Sequence, residues 1–298
     1  MTKALLILCA IVLGACFPRL AQGLPALPYI IGTLLLISFC ALPQGASRPG
    51  RLHFQLIVAA WLIGGLACAA LWPIDRALAL GALLTGATPT ATAAPVVVAA
   101  LGGNAGFAAV AVLGSNLIAC ILFPALLAVL QGPEAPGSPA QLLLRVVPVV
   151  LTPWLVARLL VRRRPAWAAL LARQMDRSFL LWLVGLTVMS ASASGYLRLA
   201  GLHALLPHAV TAVGLCVLSF IVGRRMGGNL ALEAGQALGQ KNTALATYTA
   251  LACAGPPAAL VPVCYILCHN LWNAVQLARR EPARPPAVHP APCERSSC

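Results

Sequence analysis

Apolar runs long enough to cross a bilayer follow one another along almost the whole chain, and a spanning α-helix needs about 20 largely apolar residues. They read as spans over 4–22, 25–43, 53–72, 77–102, 104–131, 141–161, 178–196, 204–223, 228–253 and 256–278. Turn signals at Pro43-Gln44-Gly45, Trp72-Pro73-Ile74-Asp75, Gly132-Pro133 and Gly255-Pro256-Pro257 punctuate them. Only 9% of the residues are charged, where a water-facing domain carries roughly a quarter. Too few charges exist to cover a water-facing surface, so lipid must be the solvent for most of the chain. The expectation is an all-α polytopic membrane protein with ten transmembrane helices.

The formal net charge of +14 has a membrane explanation. With ten spans both termini share a side. Placing them in the cytoplasm puts Lys3, Arg48, Arg51, Arg158, Arg162, Arg163, Arg164, Arg173, Arg177, Arg224, Arg225, Arg279, Arg280, Arg284 and Arg295 inside. Arg19, Arg76, Arg145 and Arg198 fall outside. That asymmetry is the one cytoplasmic loops carry, and it predicts an integral protein of a bacterial inner membrane with both termini cytoplasmic. The basic residues form no aromatic-interleaved patch, so nucleic acid is not an expected partner. The start, from Met1-Thr2-Lys3 to Leu13-Gly14-Ala15-Cys16, also fits a secretory or lipoprotein signal; the first-span reading is preferred because it balances the charges. Pro165 to Asp176 reads as an interfacial amphipathic helix between spans six and seven. Residues 279–298, rich in Pro and Arg, read as a disordered cytoplasmic tail.

Most of the eleven cysteines lie within apolar runs, where cysteine acts as a small hydrophobe. Cys264 and Cys268 are one helical turn apart beside His269, but a metal site needs more ligands in a closing geometry. Packing is the preferred reading, and no metal is expected.

Two spans are interrupted at corresponding places. Span four contains Gly86-Ala87-Thr88-Pro89-Thr90-Ala91-Thr92-Ala93-Ala94-Pro95, and span nine contains Gly235-Gln236-Ala237-Leu238-Gly239-Gln240-Lys241-Asn242-Thr243. Each is the fourth span of a five-span half, and an odd number of spans per half inverts the halves relative to each other. Paired interruptions of this kind point to a transporter binding site. Breaking a helix in lipid frees backbone groups that protein, water or ligand must satisfy. Pro89 and Pro95 cannot continue the ladder, while Thr88, Thr90 and Thr92 offer hydroxyls to the freed groups; the simpler alternative is a proline kink with back-bonding threonines. Lys241 is the one Lys or Arg placed in mid-span, and Glu233 the one acid inside a span. An intramembrane charge is a functional hypothesis by default. The competing reading is a Glu233–Lys241 pair that pins the helix, though two turns separate them.

At these residues the chain resembles the bile acid:sodium symporter superfamily. Asn242-Thr243-Ala244-Leu245-Ala246, Pro257-Ala258-Ala259-Leu260 and His269-Asn270-Leu271-Trp272-Asn273 look like its second half. Leu80-Gly81 with Gly86, Pro89, Thr92-Ala93, Gly103-Asn104 and Pro124 looks like its first. The resemblance implies two inverted five-helix repeats with spans four and nine broken and crossing. It implies one membrane domain over 1–278, with panel helices over about 4–43 and 141–196 and core helices over about 53–131 and 204–278. It also implies an organic-anion cargo, usually moved with sodium. The departures fall on the sodium ligands. The family's Ser-Asn pair in span four reads here as Ala94-Pro95, its hydroxyl ligands in span five as Ala108 and Val112, and its Glu-x-Gly-x-Gln-Asn in span nine as Ala237-Leu238-Gly239-Gln240-Lys241-Asn242. A second alignment, which places Glu233-Ala234-Gly235 on the Glu-x-Gly, needs an insertion in the crossing helix and is less favoured.

The expected function is therefore a secondary transporter of a small organic anion, independent of sodium and either proton-coupled or a uniporter, with Lys241 in place of the cation. No cofactor is expected. The candidate substrate and coupling site comprises Thr88, Pro89, Thr90, Thr92, Pro95, Asn116, Glu233, Gln236, Gln240, Lys241, Asn242, Thr243, His269 and Asn270. A sodium-coupled symporter of the same fold is the alternative within the class. A channel is the alternative outside it, but no charge ring or carbonyl filter is evident. An enzyme is disfavoured, because His53, His203, His208 and His269 are scattered and no HExxH or GxSxG occurs.

Overall fold

The computed structural model describes residues 2–42, 49–131 and 139–279. Among these residues regular structure is helical, apart from one isolated bridge. The helices are α1 (Thr2–Cys16), α2 (Leu27–Cys40), α3 (Arg51–Leu71), α4 (Arg76–Gly86), α5 (Ala94–Ala100), α6 (Ala105–Gln131), α7 (Pro139–Arg163), α8 (Pro165–Ala172), α9 (Met175–Ala200), α10 (Leu205–Gly227), α11 (Ala231–Gly239), α12 (Thr243–Cys253) and α13 (Pro256–Ala278). The turns expected at 43–45 and 132–133, the charge on Arg48 and the tail from 280 lie outside the described residues.

Among the described residues, six helical segments are long and apolar enough to cross a membrane: Pro18–Ala41, Arg51–Leu71, Ala105–Phe123, Arg177–Gly195, Leu205–Gly239 and Pro256–Ala278. Leu5–Cys16, Arg76–Gly86 and Thr243–Cys253 are apolar but shorter. The segment Leu205–Gly239 is itself a hairpin. Gly228, at φ +52°, reverses the chain, and α11 folds back along α10 so closely that a Cβ on Gly223 would lie 2.5 Å from the Ala234 carbonyl oxygen. An equivalent hairpin joins α3 to α4, where Asp75 caps α4 by accepting the Leu78 N–H at 2.9 Å. There a Cβ on Gly64 would lie 2.7 Å from the Ala87 nitrogen.

The solvent the fold requires is visible in which side chains face outward. Phe54, Leu66, Leu206, Val210 and Leu271 are each more than 60% exposed, while Thr85, Asn116, Gln236, Lys241 and Thr247 are buried. A water-soluble fold distributes these types the other way; lipid as solvent accounts for both. Around the periphery α1 packs on α9 and α2 on α7. Centrally, α4 and α12 pack on α13 and α5 on α6. Pro165 starts the short α8 that links α7 to α9, where the sequence suggests an interfacial helix.

Candidate functional site

Two helices stop short in the middle of the fold, and their broken ends meet. The chain is non-helical between the end of α4 at Gly86 and the start of α5 at Ala94, and again from Gln240 to Asn242 between α11 and α12. Proline explains the first break: Pro89 and Pro95 each lack an N–H and cannot follow a helical turn. The two breaks run antiparallel past each other and bridge at Thr90 and Lys241. The Ala91 N–H donates to the Gln240 carbonyl at 2.8 Å, and the Asn242 N–H to the Pro89 carbonyl at 2.8 Å. Each break thus satisfies part of what the other frees.

Side chains meet much of the remaining demand. The Ser115 hydroxyl accepts the Thr90 N–H at 3.0 Å and donates its own O–H to the Ala111 carbonyl at 2.6 Å. Asn116 donates to the Thr90 carbonyl at 3.1 Å, and the Thr90 hydroxyl donates to the Ala237 carbonyl at 2.6 Å. Tyr265 donates its phenol to the Gly239 carbonyl at 2.8 Å. Asn242 caps α12, accepting the Leu245 N–H at 3.2 Å. Lys241, 1% exposed, sends its ammonium to the Gly86 carbonyl at 2.7 Å and to the Thr88 carbonyl at 3.3 Å. The Gly86 carbonyl ends α4 and the Thr88 carbonyl lies two residues beyond it, where the helix has run out of N–H donors. From the sequence alone, the expected partners of Lys241 are the side chains of Asn242 and Gln240 and freed carbonyls near Thr90 to Thr92. The structure instead gives that stretch to Ser115, Asn116 and the opposite backbone.

Not every expected residue joins the crossing. Glu233 sits in the first turn of α11, 7% exposed, and accepts the Asn104 N–H at 2.7 Å, thereby tying down the start of α6. No ion pair links it to Lys241 among the described residues. Gln236 donates to Asn273 at 3.0 Å and to Gln276 at 2.7 Å, bracing α11 against α13. Pro95 is a buried opening residue of α5. Ser115 and Tyr265 are the residues the sequence reading missed. Ser115 could have been found as the neighbour of Asn116 in an apolar run; Tyr265 carries only the general signal that a buried phenol needs a partner.

On one side of the crossing a cavity of about 260 Å³ opens toward α2 and α9. Thr92, Gln240, Lys241, Asn242, Thr243, His269 and Asn270 line it from the crossing and α13. Ser38, Ser178, Phe179 and Trp182 face them from α2 and α9. Among the described residues Lys241 is the one charged residue in this lining, and no acid is among them. Gln240 Oε1 and His269 Nδ1 are buried without a hydrogen-bond partner, and buried polar atoms of that kind ask for a ligand or water. Asn270 turns back onto the Ile266 carbonyl at 2.7 Å. On the other side lies a void of about 20 Å³ beside His53, Thr88 and Lys241.

Four of the residues that the resemblance aligns with sodium ligands carry apolar side chains. Ala94, Ala108 and Val112 are fully buried, Ala237 nearly so, and none has a side-chain oxygen. The ammonium of Lys241 stands among carbonyls freed by the break, which is where a cation would otherwise be attracted.

A model of the SBF-like CPA transporter family, related to the bile acid:sodium symporters, matches residues 4–237. The chain belongs to that family. No curated protein matches it. Membership makes this SBF-like protein an integral membrane transporter of the secondary class rather than an enzyme. The matched stretch includes the first break and all of the α10–α11 hairpin up to Ala237. Lys241 and the second break lie just beyond it.

Proposed function

We propose that this SBF-like protein carries a small organic anion across the membrane without sodium, Lys241 holding the crossing together in place of the cation. The observation that carries this reading is the buried ammonium donating to the carbonyls of Gly86 and Thr88. A sodium ion at that crossing would need oxygen ligands where Ala94, Ala108, Val112 and Ala237 stand, and would meet a like charge at close range. The cargo reading rests on the cavity beside the crossing: among the described residues its lining holds one cationic residue and no acid, and polar atoms of Gln240 and His269 lack partners.

The architecture that goes with this function is ten spans in two inverted halves. The packing supports it, because exchanging the halves maps one contact onto another: α1 on α9 becomes α7 on α2, the α3–α4 hairpin becomes α10–α11, and α5 on α6 becomes α12 on α13. Helix directions agree as well. Arg198, near the end of α9, donates to the Ala15 and Cys16 carbonyls at the end of α1, so spans one and seven run the same way. In this scheme α1, α2, α7 and α9 form a panel, the other spans form a core, and the cavity lies between them. Both termini lie in the cytoplasm.

The test is uptake of organic acids by proteoliposomes holding the purified protein. Saturable uptake that competing carboxylates inhibit and that choline in place of sodium leaves unchanged is the expected result. Uptake that requires sodium, or competition by organic cations alone, would overturn the proposal. Non-saturating flux would favour a channel.

A further inference from the structure

A second cavity lies away from the crossing, on the outer face between α10 and α13. It is a groove of about 770 Å³. The two helices run parallel here: Phe220 stacks on Trp272 with ring centroids 4.8 Å apart, and Arg224 and Arg279 border the groove from the last turn of one helix and the end of the other. Val213 and Val217 form one wall, and Leu271 and Val275 the other. All four are between 38% and 65% exposed.

The dimensions suit one kind of occupant. From Val213 to Arg224 the wall of α10 runs about 16 Å at 1.5 Å per residue, close to half of a hydrocarbon core about 30 Å thick. The groove is therefore about one leaflet deep, apolar along its length, with guanidinium groups where headgroups would sit. Among the described residues neither Arg224 nor Arg279 makes an ion pair and no acid lines the groove. Gln276 adds polarity at the same end; its Oε1 is taken by Gln236, which leaves its amide N–H groups free to donate. Basic pockets between spans at a membrane face hold anionic headgroups, and arginine matches a phosphate with paired donors.

We propose that the groove between α10 and α13 is a binding site for an anionic phospholipid, its phosphate held by Arg224 and Arg279 and its acyl chain laid between Val213, Val217, Leu271 and Val275. This rests on the chain being a membrane protein and not on what it carries. The site also adjoins the transport machinery, because Gln276 is hydrogen-bonded to Gln236, about one turn before the second break.

The experiment uses the full chain purified in detergent. Thermal unfolding and native mass spectrometry are read with added phosphatidylglycerol, with phosphatidylcholine of the same acyl chains, and with inorganic phosphate. Phosphatidylglycerol is expected to raise Tm and to stay bound at one molecule per chain, while the other two additions do neither. The Arg224→Gln, Arg279→Gln double variant should lose both responses. Val217→Trp, which fills the groove and keeps both guanidinium groups, should lose them too. An Arg173→Gln, Arg177→Gln control, on a different surface, should keep them. Equal stabilisation by phosphatidylcholine or by phosphate, an unchanged response in the double variant or in Val217→Trp, or cross-linking between two copies through a cysteine at Leu271 would overturn the proposal.

Discussion

At the crossing, hydrogen bonds that a continuous helix would make for itself are made by a handful of side chains, and their removal should be unequally felt. Lys241 serves two carbonyls that no intrahelical donor reaches. Lys241→Ala leaves both unpaired, at about 1–3 kcal/mol for each orphaned buried acceptor; uptake should be lost and Tm lowered. Lys241→Gln restores the residue of the resembled family but not its oxygen ligands, since Ala94, Ala108, Val112 and Ala237 remain. Uptake assays of that variant should show lost transport and no gain of sodium dependence. A sharper comparison uses two neighbouring threonines. The Thr90 hydroxyl donates to the Ala237 carbonyl at 2.6 Å, whereas the Thr88 hydroxyl is buried without a partner. Both can become valine with little change of shape. Thr90→Val should destabilise by about 1–3 kcal/mol, the cost of an orphaned buried acceptor, and Thr88→Val by much less. Equal Tm values for the two would show that the bond to Ala237 contributes nothing.

Elements meet in this fold where glycine lets backbones approach, and adjacent glycines differ sharply. A Cβ on Gly64 would lie 2.7 Å from the Ala87 nitrogen and 2.8 Å from the Leu83 oxygen, both backbone atoms of α4. A Cβ on Gly65 would meet nothing within 4 Å. Gly64→Ala should therefore force the α3–α4 hairpin apart, at the 1–3 kcal/mol scale typical of overpacking. Gly65→Ala should be neutral or stabilise by about 0.5–1 kcal/mol, because alanine is the better helix former. Thermal unfolding of the two variants reads the difference directly. Both breaks were legible in the sequence because they arise locally, from Pro89 and Pro95 in one span and from glycines and polar residues in the other. The partners across the crossing were not. Which carbonyl receives Lys241 depends on how far α11 slides past α4, and no local pattern records that register. Glu233 illustrates the same limit: its depth in an apolar run marked it as notable, but only the fold shows that it ties down the start of α6. The turn between α10 and α11 was local enough to read: Gly228 reverses the chain where the sequence reading ends one span at 223 and opens the next at 228, within the apolar segment Leu205–Gly239.

For the whole molecule, the orientation and the motion carry separate expectations. Arg162 to Arg164 and the chain's C-terminal end should be reached by membrane-impermeant thiol reagents only from the cytoplasmic face, when single cysteines are placed there in a background without native ones. An external C-terminal end would remove the ten-span scheme. The motion follows from where the cavity lies. Its walls belong to two groups of helices, α2 and α9 on one side and the crossing with α13 on the other. Alternating access in carriers built from repeats is largely one rigid group rocking against the other around the binding site. The crossing itself is tied internally by backbone pairs and by Lys241, so the freedom must lie between the groups. Cysteines replacing Ser38 on α2 and Thr92 at the first break, joined by a bifunctional thiol reagent, should stop uptake, and cleaving the linker should restore it. A linker joining α10 to α11, whose backbones already touch at Gly223 and Ala234, lies within one group and should leave uptake unchanged. Transport that survives the first linker would mean that the substrate path does not pass between these walls.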